Sequence, residues 1–395
     1  MAAVYAGILI LILSLPVPCL SEDPSKASPP ASTEGEEKLA GDERGSAMPL
    51  GETVLGVEVA KALSLAAIIE QVSDKKIVYA GERHTDFEDH LVQLEIIKGL
   101  LKKNGKIAIG MEMFQKPSQG ALDDYIGGKI SEKEFLKASD YFRRWGFDYH
   151  LYKDILRFAR DEKIPVVALN MRKEIVEKVS KGGIDALSEE EKNELPGDMD
   201  MTDEDYKKRL KKAFEAHTDS ETMSFENFYQ SQIIWDETMA QSIDDYLKQE
   251  PDRQMVVMAG SGHLTHGSGI PRRTFSRNKL DYAIVLSDVP VEKDIADFVL
   301  YPKEEKAPAS PKLGVLLKDE DGRANIIGFA EMSSAEKAGL EKGDVIVALD
   351  DDKIGGSDDM KIFFFYKKKG DTVTVSLLRK RFLFGERLLK FEVTL

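Results

Sequence analysis

Four short apolar runs each end in a residue able to do chemistry. Lys76–Ala80 leads into Gly81-Glu82-Arg83-His84, Ile107–Met111 into Glu112, Ile164–Leu169 into Asn170, and Gln254–Ala259 into Gly260-Ser261-Gly262-His263. The chain has six histidines, and two of them follow glycines at these run ends. Glycine there lets the backbone turn sharply and lets a ligand come close. Glu82, His84, Glu112 and His263 offer two imidazoles and two carboxylates, a set with two uses. It suits a divalent metal ion that supplies a bound water as nucleophile. It equally suits acid–base work without metal, in which a carboxylate orients a histidine that takes the proton. Any one of these residues alone is more often a loop cap or a satisfied hydrogen-bonding group. Four at matching positions point to one site. No HExxH helix, GxSxG elbow or Walker loop accompanies them, so the common zinc-protease, serine-hydrolase and NTPase templates do not apply.

The elements that must hold this set follow from the alternation of apolar runs with longer helical patterns between about 51 and 300. That alternation predicts a doubly wound α/β domain, a mostly parallel sheet with helices on both faces. A fifth run, Tyr282–Leu286, closes the sheet. Ligands of open parallel sheets bind beyond the carboxyl ends of the strands, so residues far apart in sequence converge there. Between the first two runs, Thr85 and Glu88 form a capping-box pair. Leu91, Leu94, Ile97 and Leu101 follow at helical spacing, and Gly105 marks the stop. The charged segment 184–222 predicts one or two short helices lying over the sheet, a solvated face or a lid.

At 395 residues with 42% hydrophobic content, the chain is long enough for two cores plus tails. A formal charge of −15 argues against nucleic acid as a partner. The one cysteine, Cys19, rules out an internal disulfide and any CxxC site. The apolar stretch from Ala2 to Leu15, broken by Pro16 and Pro18, is short of the roughly 20 residues a spanning helix needs. Residues 1–21 therefore read as a signal peptide for export to the periplasm. The rival reading lipidates Cys19 as a membrane tether. Residues 22–50, rich in Ser, Pro, Gly and acidic side chains, read as a flexible leader. The proline-bounded stretch Pro302–Pro311 separates a domain at 51–305 from a second at 306–395.

Gly81-Glu82-Arg83-His84, Gly110-Met-Glu112-Met-Phe114 and Gly260-Ser-Gly-His263-Leu264 resemble the ChaN-like haem-binding uptake family of the Tiki superfamily. So do Phe228–Ala240 and the stretch from Trp145 through Asn170, and the likeness runs over most of residues 60–290. It implies an α/β fold with Glu82, His84, Glu112 and His263 at the shared motif positions of a pocket. It also implies haem as ligand. Haem needs an apolar slot, an axial Tyr or His and cations for its propionates. Tyr141–Tyr152 supplies these types. If a helix begins at Tyr149, then Tyr149 and Tyr152 share one face as candidate axial ligands, with Arg143 and Arg144 as candidate propionate partners. The competing reading has these aromatics packing the helix onto the sheet. The wider superfamily implies the alternative of a metal-dependent hydrolase or protease of the erythromycin-esterase type, with Glu82, His84, Glu112 and His263 as catalytic residues or ligands.

After Pro311 the pattern changes to strands around Leu313–Leu317, Asn325–Phe329, Gly343–Leu349, Thr372–Leu378 and Leu388–Val393, with a helix from Ser357 to Lys369. With Ala338-Gly339-Leu340-Glu-Lys-Gly343-Asp344, this order resembles a PDZ domain. The likeness implies a peptide C-terminus added as a strand, with Leu313, Gly314 and Val315 at the carboxylate loop and Met360 and Phe364 at the groove wall. The expected partners are thus haem, protein C-termini and a second copy of the chain as a homodimer. The expected function is exported haem handling. A scaffold whose pocket is vestigial is the third reading.

Overall fold

The computed structural model describes residues 58–217, 223–381 and 385–395. The signal peptide, the leader and Cys19 lie outside the described residues. Among the described residues, six parallel strands form the first sheet: β1 (Ile77–Glu82), β2 (Ile107–Gln115), β3 (Val166–Asn170), β4 (Gln254–Gly260), β5 (Tyr282–Ser287) and β6 (Phe298–Leu300). Their order is β3-β2-β4-β1-β5-β6. The first five are the runs read from the sequence. The half-buried β6, three residues long, is too short to carry a pattern of its own.

Both faces of this sheet are covered, which explains why its strands read as continuous apolar runs rather than alternating ones. Val78 and Ala80 face one core, Ile77 and Tyr79 the other. On the first face pack helix α1 (Phe87–Asn104) and helix α2 (Lys153–Asp161); on the second, α3 (Glu204–His217) and α4 (Phe225–Gln249). Helix α1 ends as expected, at Gly105 in the left-handed region with φ +67°. Its start differs. Asp86 is the N-cap residue and makes no side-chain capping bond, while the Thr85 hydroxyl donates to the Asp86 carboxylate instead. The expected capping box does not form because the chain turns one residue later than the pair requires.

The charged segment does form short helices over the sheet, and α3 is anchored by Tyr206, Leu210 and Phe214 in the second core. Residues 218–222 of that segment lie outside the described residues.

The C-terminal module is a second sheet ordered β12-β11-β9-β8-β7, with β10 (Asp352–Lys353) paired to β9. Its strands are β7 (Val315–Glu320), β8 (Arg323–Phe329), β9 (Val345–Leu349), β11 (Thr372–Arg381) and β12 (Gly385–Thr394). Helix α5 (Ser357–Phe365) stops four residues earlier than expected. β7 ends the strand order. Asp319 at its far end accepts the backbone N–H and the hydroxyl of Ser357, fixing the start of α5 beside it.

Helix α5 is buried on two sides. Met360, Phe363 and Phe364 fill the module's core, whereas Ile362 and Phe365 enter the core of the α/β unit. The Phe365 ring lies 5.1 Å from that of Tyr149 and 4.5 Å from that of His150. Around this apolar centre, Tyr366 donates to Glu132 at 3.2 Å, Lys133 pairs with Asp352 at 2.5 Å, and Lys137 with Asp359 at 3.1 Å.

Candidate functional site

Register builds the site. β4 lies between β2 and β1, with Glu82 opposite Gly260 and Met111 opposite Met258, so the three strands end at nearly one level. Glu82 follows Ala80 onto the face covered by α1 and α2. Glu112 points the other way, because side chains alternate along a strand. Two imidazoles therefore reach the carboxyl edge from opposite faces.

On the first face, Glu82 is fully buried at the centre of a hydrogen-bond cluster. His84 Nδ1 lies 2.8 Å from Glu82 Oε1, and the Tyr152 hydroxyl donates to the same oxygen at 2.8 Å. Gln93 Nε2 donates to Oε2 at 2.8 Å, and His90 Nδ1 stands 3.4 Å from it. Burial favours the neutral acid, but the charge and hydrogen bonds of His90 and His84 outweigh it, holding Glu82 well below the ordinary carboxylate range. For His90 burial works against the charged ring, and Glu82 more than offsets it, so its pKa is raised. The His84 ring stands edge-on to Trp145 at 4.9 Å and lies 5.0 Å from Phe147.

On the second face, His263 Nδ1 lies 2.6 Å from Asp236 Oδ1, and the Tyr206 hydroxyl donates to Asp236 Oδ2 at 2.5 Å. His263 Nε2 is 3.6 Å from Glu112 Oε1, while Glu112 Oε2 accepts the Gly260 N–H at 2.7 Å. Burial lowers the His263 pKa, and the carboxylates of Glu112 and Asp236 overcome it, so the net shift is upward. The two halves meet at Gly260. A Cβ there would stand 2.9 Å from His84 Cε1, 3.0 Å from His84 Nε2 and 3.7 Å from Glu112 Oε2. Only glycine leaves room for the ring.

The structure thus brings together Glu82, His84, Glu112 and His263 around two relays of a tyrosine, a carboxylate and an imidazole, Tyr152–Glu82–His84 and Tyr206–Asp236–His263, with Glu112 beside His263 Nε2. Such a relay fixes the Nδ1–H tautomer and leaves Nε2 as the reactive nitrogen. Asn170 serves the backbone, donating to the carbonyl of Glu112 at 3.0 Å. Tyr206, Asp236, His90 and Gln93 were missed. Asp236 sits inside the stretch Phe228–Ala240 that carries the family likeness but is not singled out by it, and Tyr206 sits inside a charge run.

Two expectations meet a different geometry. Among the described residues, no group of three His, Cys, Asp or Glu side chains is arranged to hold a metal ion. Nδ1 of each imidazole is committed to a carboxylate, and Glu82 and Glu112 sit on opposite faces. The other concerns the tyrosines. Tyr149 lies in a 3-10 turn (Tyr149–Leu151), and α2 begins only at Lys153, so Tyr149 and Tyr152 do not share a helix face. Both are fully buried, with hydroxyls donating to Glu132 and Glu82, so neither oxygen is open to a haem iron in this arrangement. Arg143 pairs with Asp140, and Arg144 donates to Gln115 and Glu174. By donor type both phenol and imidazole suit a haem, but the phenol oxygens are committed to carboxylates, whereas each imidazole is held through Nδ1 and keeps Nε2.

In the module, Gly314 (φ +78°) turns the chain into Val315 at the start of β7, where the carboxylate loop was expected. Leu313, Met360 and Phe364 are instead core residues of the module, because α5 turns that face inward.

A family model described as haem-binding uptake, Tiki superfamily, ChaN matches residues 68–274, and a PDZ domain model matches residues 311–395. A solved structure of ChaN from Campylobacter jejuni with cofacially bound haem is 18% identical, with a TM-score of 0.51. The match covers 62% of this chain and 93% of that one. The chloroplastic protein reticulata-related 5 of Arabidopsis thaliana is 25% identical over 275 residues, 63% of this chain. This chain spans 37% of that relative's length. The PDZ domain of a carboxy-terminal protease from Vibrio cholerae, solved with a peptide, is 18% identical, with a TM-score of 0.18, covering 21% of this chain and 91% of that one. With more than half of its length matched by the first model, the chain belongs to the ChaN family of haem-binding uptake proteins in the Tiki superfamily and carries a PDZ domain at its C-terminal end.

Proposed function

We propose that the α/β unit binds haem at the carboxyl edge of its sheet, with the PDZ module presenting the edge of β7 to the C-terminus of a partner protein. The observation that carries the haem reading is the convergence of His84 and His263 within the segment matched by the haem-binding family. Each has its Nδ1 held by a carboxylate and its Nε2 turned toward Gly260 or Glu112. A histidine ligand fixed in this way is the usual arrangement of an imidazole that binds a metal centre. His84 and His263 are therefore the candidate axial residues, and a bound haem would supply its own iron chemistry. The apolar stretch from Ala2 to Leu15 supports export of the chain. Titrating haem into the purified protein tests the reading. A saturable, shifted Soret band that is lost in His84→Ala or His263→Ala supports it, and only non-specific adsorption rejects it.

The relays favour a second reading, acyl-ester hydrolysis without metal. One imidazole would take a proton from water as the oxygen attacks the acyl carbon, and the other would protonate the departing alkoxide. Turnover of p-nitrophenyl butyrate, abolished in both histidine variants, would support it. A wild-type protein that leaves the ester intact removes it.

A further inference from the structure

Gln232, Trp235, Asp236 and Met239, at positions i, i+3, i+4 and i+7, lie along one buried stripe of helix α4. Two of its members touch the functional histidine. Asp236 holds His263 Nδ1, and the Trp235 ring stands edge-on to the His263 ring with centroids 6.0 Å apart. Helix α4 runs back toward the start of β4, its last turns leading into Gln254. Residues before Asp236 therefore extend beyond the carboxyl edge of the sheet. Gln232 lies one turn further out than Asp236 on the same stripe.

Gln232 is fully buried, and neither its Oε1 nor its Nε2 has a hydrogen-bond partner among the described residues. The contrast with Gln93 is direct. That buried glutamine of the same site donates to Glu82 Oε2 and to the Ala80 carbonyl. A buried amide that makes no bond weakens the fold, and an apolar side chain of equal size would serve packing better. Its place beside an imidazole relay gives it another purpose.

We propose that Gln232 is a ligand-recognition residue of the strand-end site. Its Nε2–H donates to a carboxyl or carbonyl oxygen of the ligand, and its Oε1 stands ready for an O–H or N–H beside that oxygen. This rests on the reading that the ligand occupies the strand-end site. The carboxyl chemistry has two sources, a haem propionate or the acyl group of an ester. Both amide atoms are enclosed, so the ligand displaces packed side chains to reach them.

Gln232→Met in the full chain tests the assignment. Because the amide gives up no bond in the free protein, the ligand-free variant should unfold at the same temperature as wild type or higher. If the source is haem, wild type should bind haem about tenfold more tightly than haem dimethyl ester, and the variant should bind the two alike. If the source is an ester, the variant should lose about tenfold in kcat/KM for p-nitrophenyl butyrate, with the haem and haem-ester affinities unmoved. A clear fall in Tm overturns the assignment, since the amide would then be serving the fold, for example through a buried water. So does a variant that matches wild type in both ligand measurements. Haem uptake with unchanged preference, together with unchanged ester turnover, sinks this inference alone. A wild type that neither binds haem nor turns over the ester sinks it together with the function proposed above.

Discussion

The strand-end site and the seam between the two units are both assembled from residues distant in sequence, yet they are built on opposite plans. At the seam, Ile362 and Phe365 are buried, and the ion pairs Lys133–Asp352 and Lys137–Asp359 stay at the half-exposed rim. That is the anatomy of a stable interface, an apolar centre with a polar margin. In the site the ionisable groups are in the middle. Glu82, Asp236, His84 and His263 are each at most 2% exposed. Replacing a buried set of ionisable groups by apolar ones would often be neutral or stabilising. The seam is explained by stability. The site is not, and perturbed titrations in a buried cluster are a mark of function.

The largest test of this contrast is Glu82→Ala, which leaves His84, His90, Tyr152 and Gln93 facing a space without their common acceptor. A loss of about 3 to 5 kcal/mol is expected, read by denaturant unfolding. A loss under about 1 kcal/mol would mean that water already shares the cluster. The pH profile belongs to the same test. Glu82 is depressed from 4.5, so its contribution is complete above that pH and fades only in strong acid. His90 and His263 are raised from 6.5, so theirs is complete below 6.5 and fades as pH rises through the raised values. Unfolding free energy should therefore be lower at pH 8.5 than at pH 6, and a profile rising over that interval would contradict the pairing.

Phe365→Ala is the matching test at the seam. Removing a buried ring between Tyr149 and His150 should cost about 3 kcal/mol and separate the unfolding of the module from that of the α/β unit. A single transition with unchanged midpoint would show that Phe365 does not join the two.

Tyr152→Phe takes one donor from Glu82 while keeping the ring, and should cost about 2 kcal/mol. Any haem Soret band should persist in this variant and in Tyr149→Phe. A lost band would return these tyrosines to the role of ligands. They show what the sequence could and could not disclose. Glu82, His84, Glu112 and His263 were legible because a parallel sheet carries strand ends to one edge whatever lies between them. The contiguous stretch 141–152 misled because proximity in sequence says nothing about facing. Its break into a 3-10 turn before α2 sends Tyr149 toward the seam and Tyr152 toward Glu82. Met360 and Phe364 misled for a related reason, since a helix packed on two sides hides which face meets a groove. Asp236 and Tyr206 were illegible because their meaning lies only in whom they touch.

The smallest effect separates the two plans most cleanly. Lys137→Ala removes an ion pair whose side chains are 46% and 28% exposed. In that setting solvent screening and side-chain entropy leave little net attraction, so the change should stay within about 1 kcal/mol. It should shrink further in high salt, because exposed pairs are screened while buried ones are not. The Glu82 cluster, closed to solvent, should respond to salt hardly at all. Unfolding both variants at low and high ionic strength therefore compares rim and centre directly. If Lys137→Ala cost as much as Phe365→Ala, charge rather than packing would hold the module in place. The seam would then be a salt-sensitive contact able to open, and α5 could move independently of Tyr149.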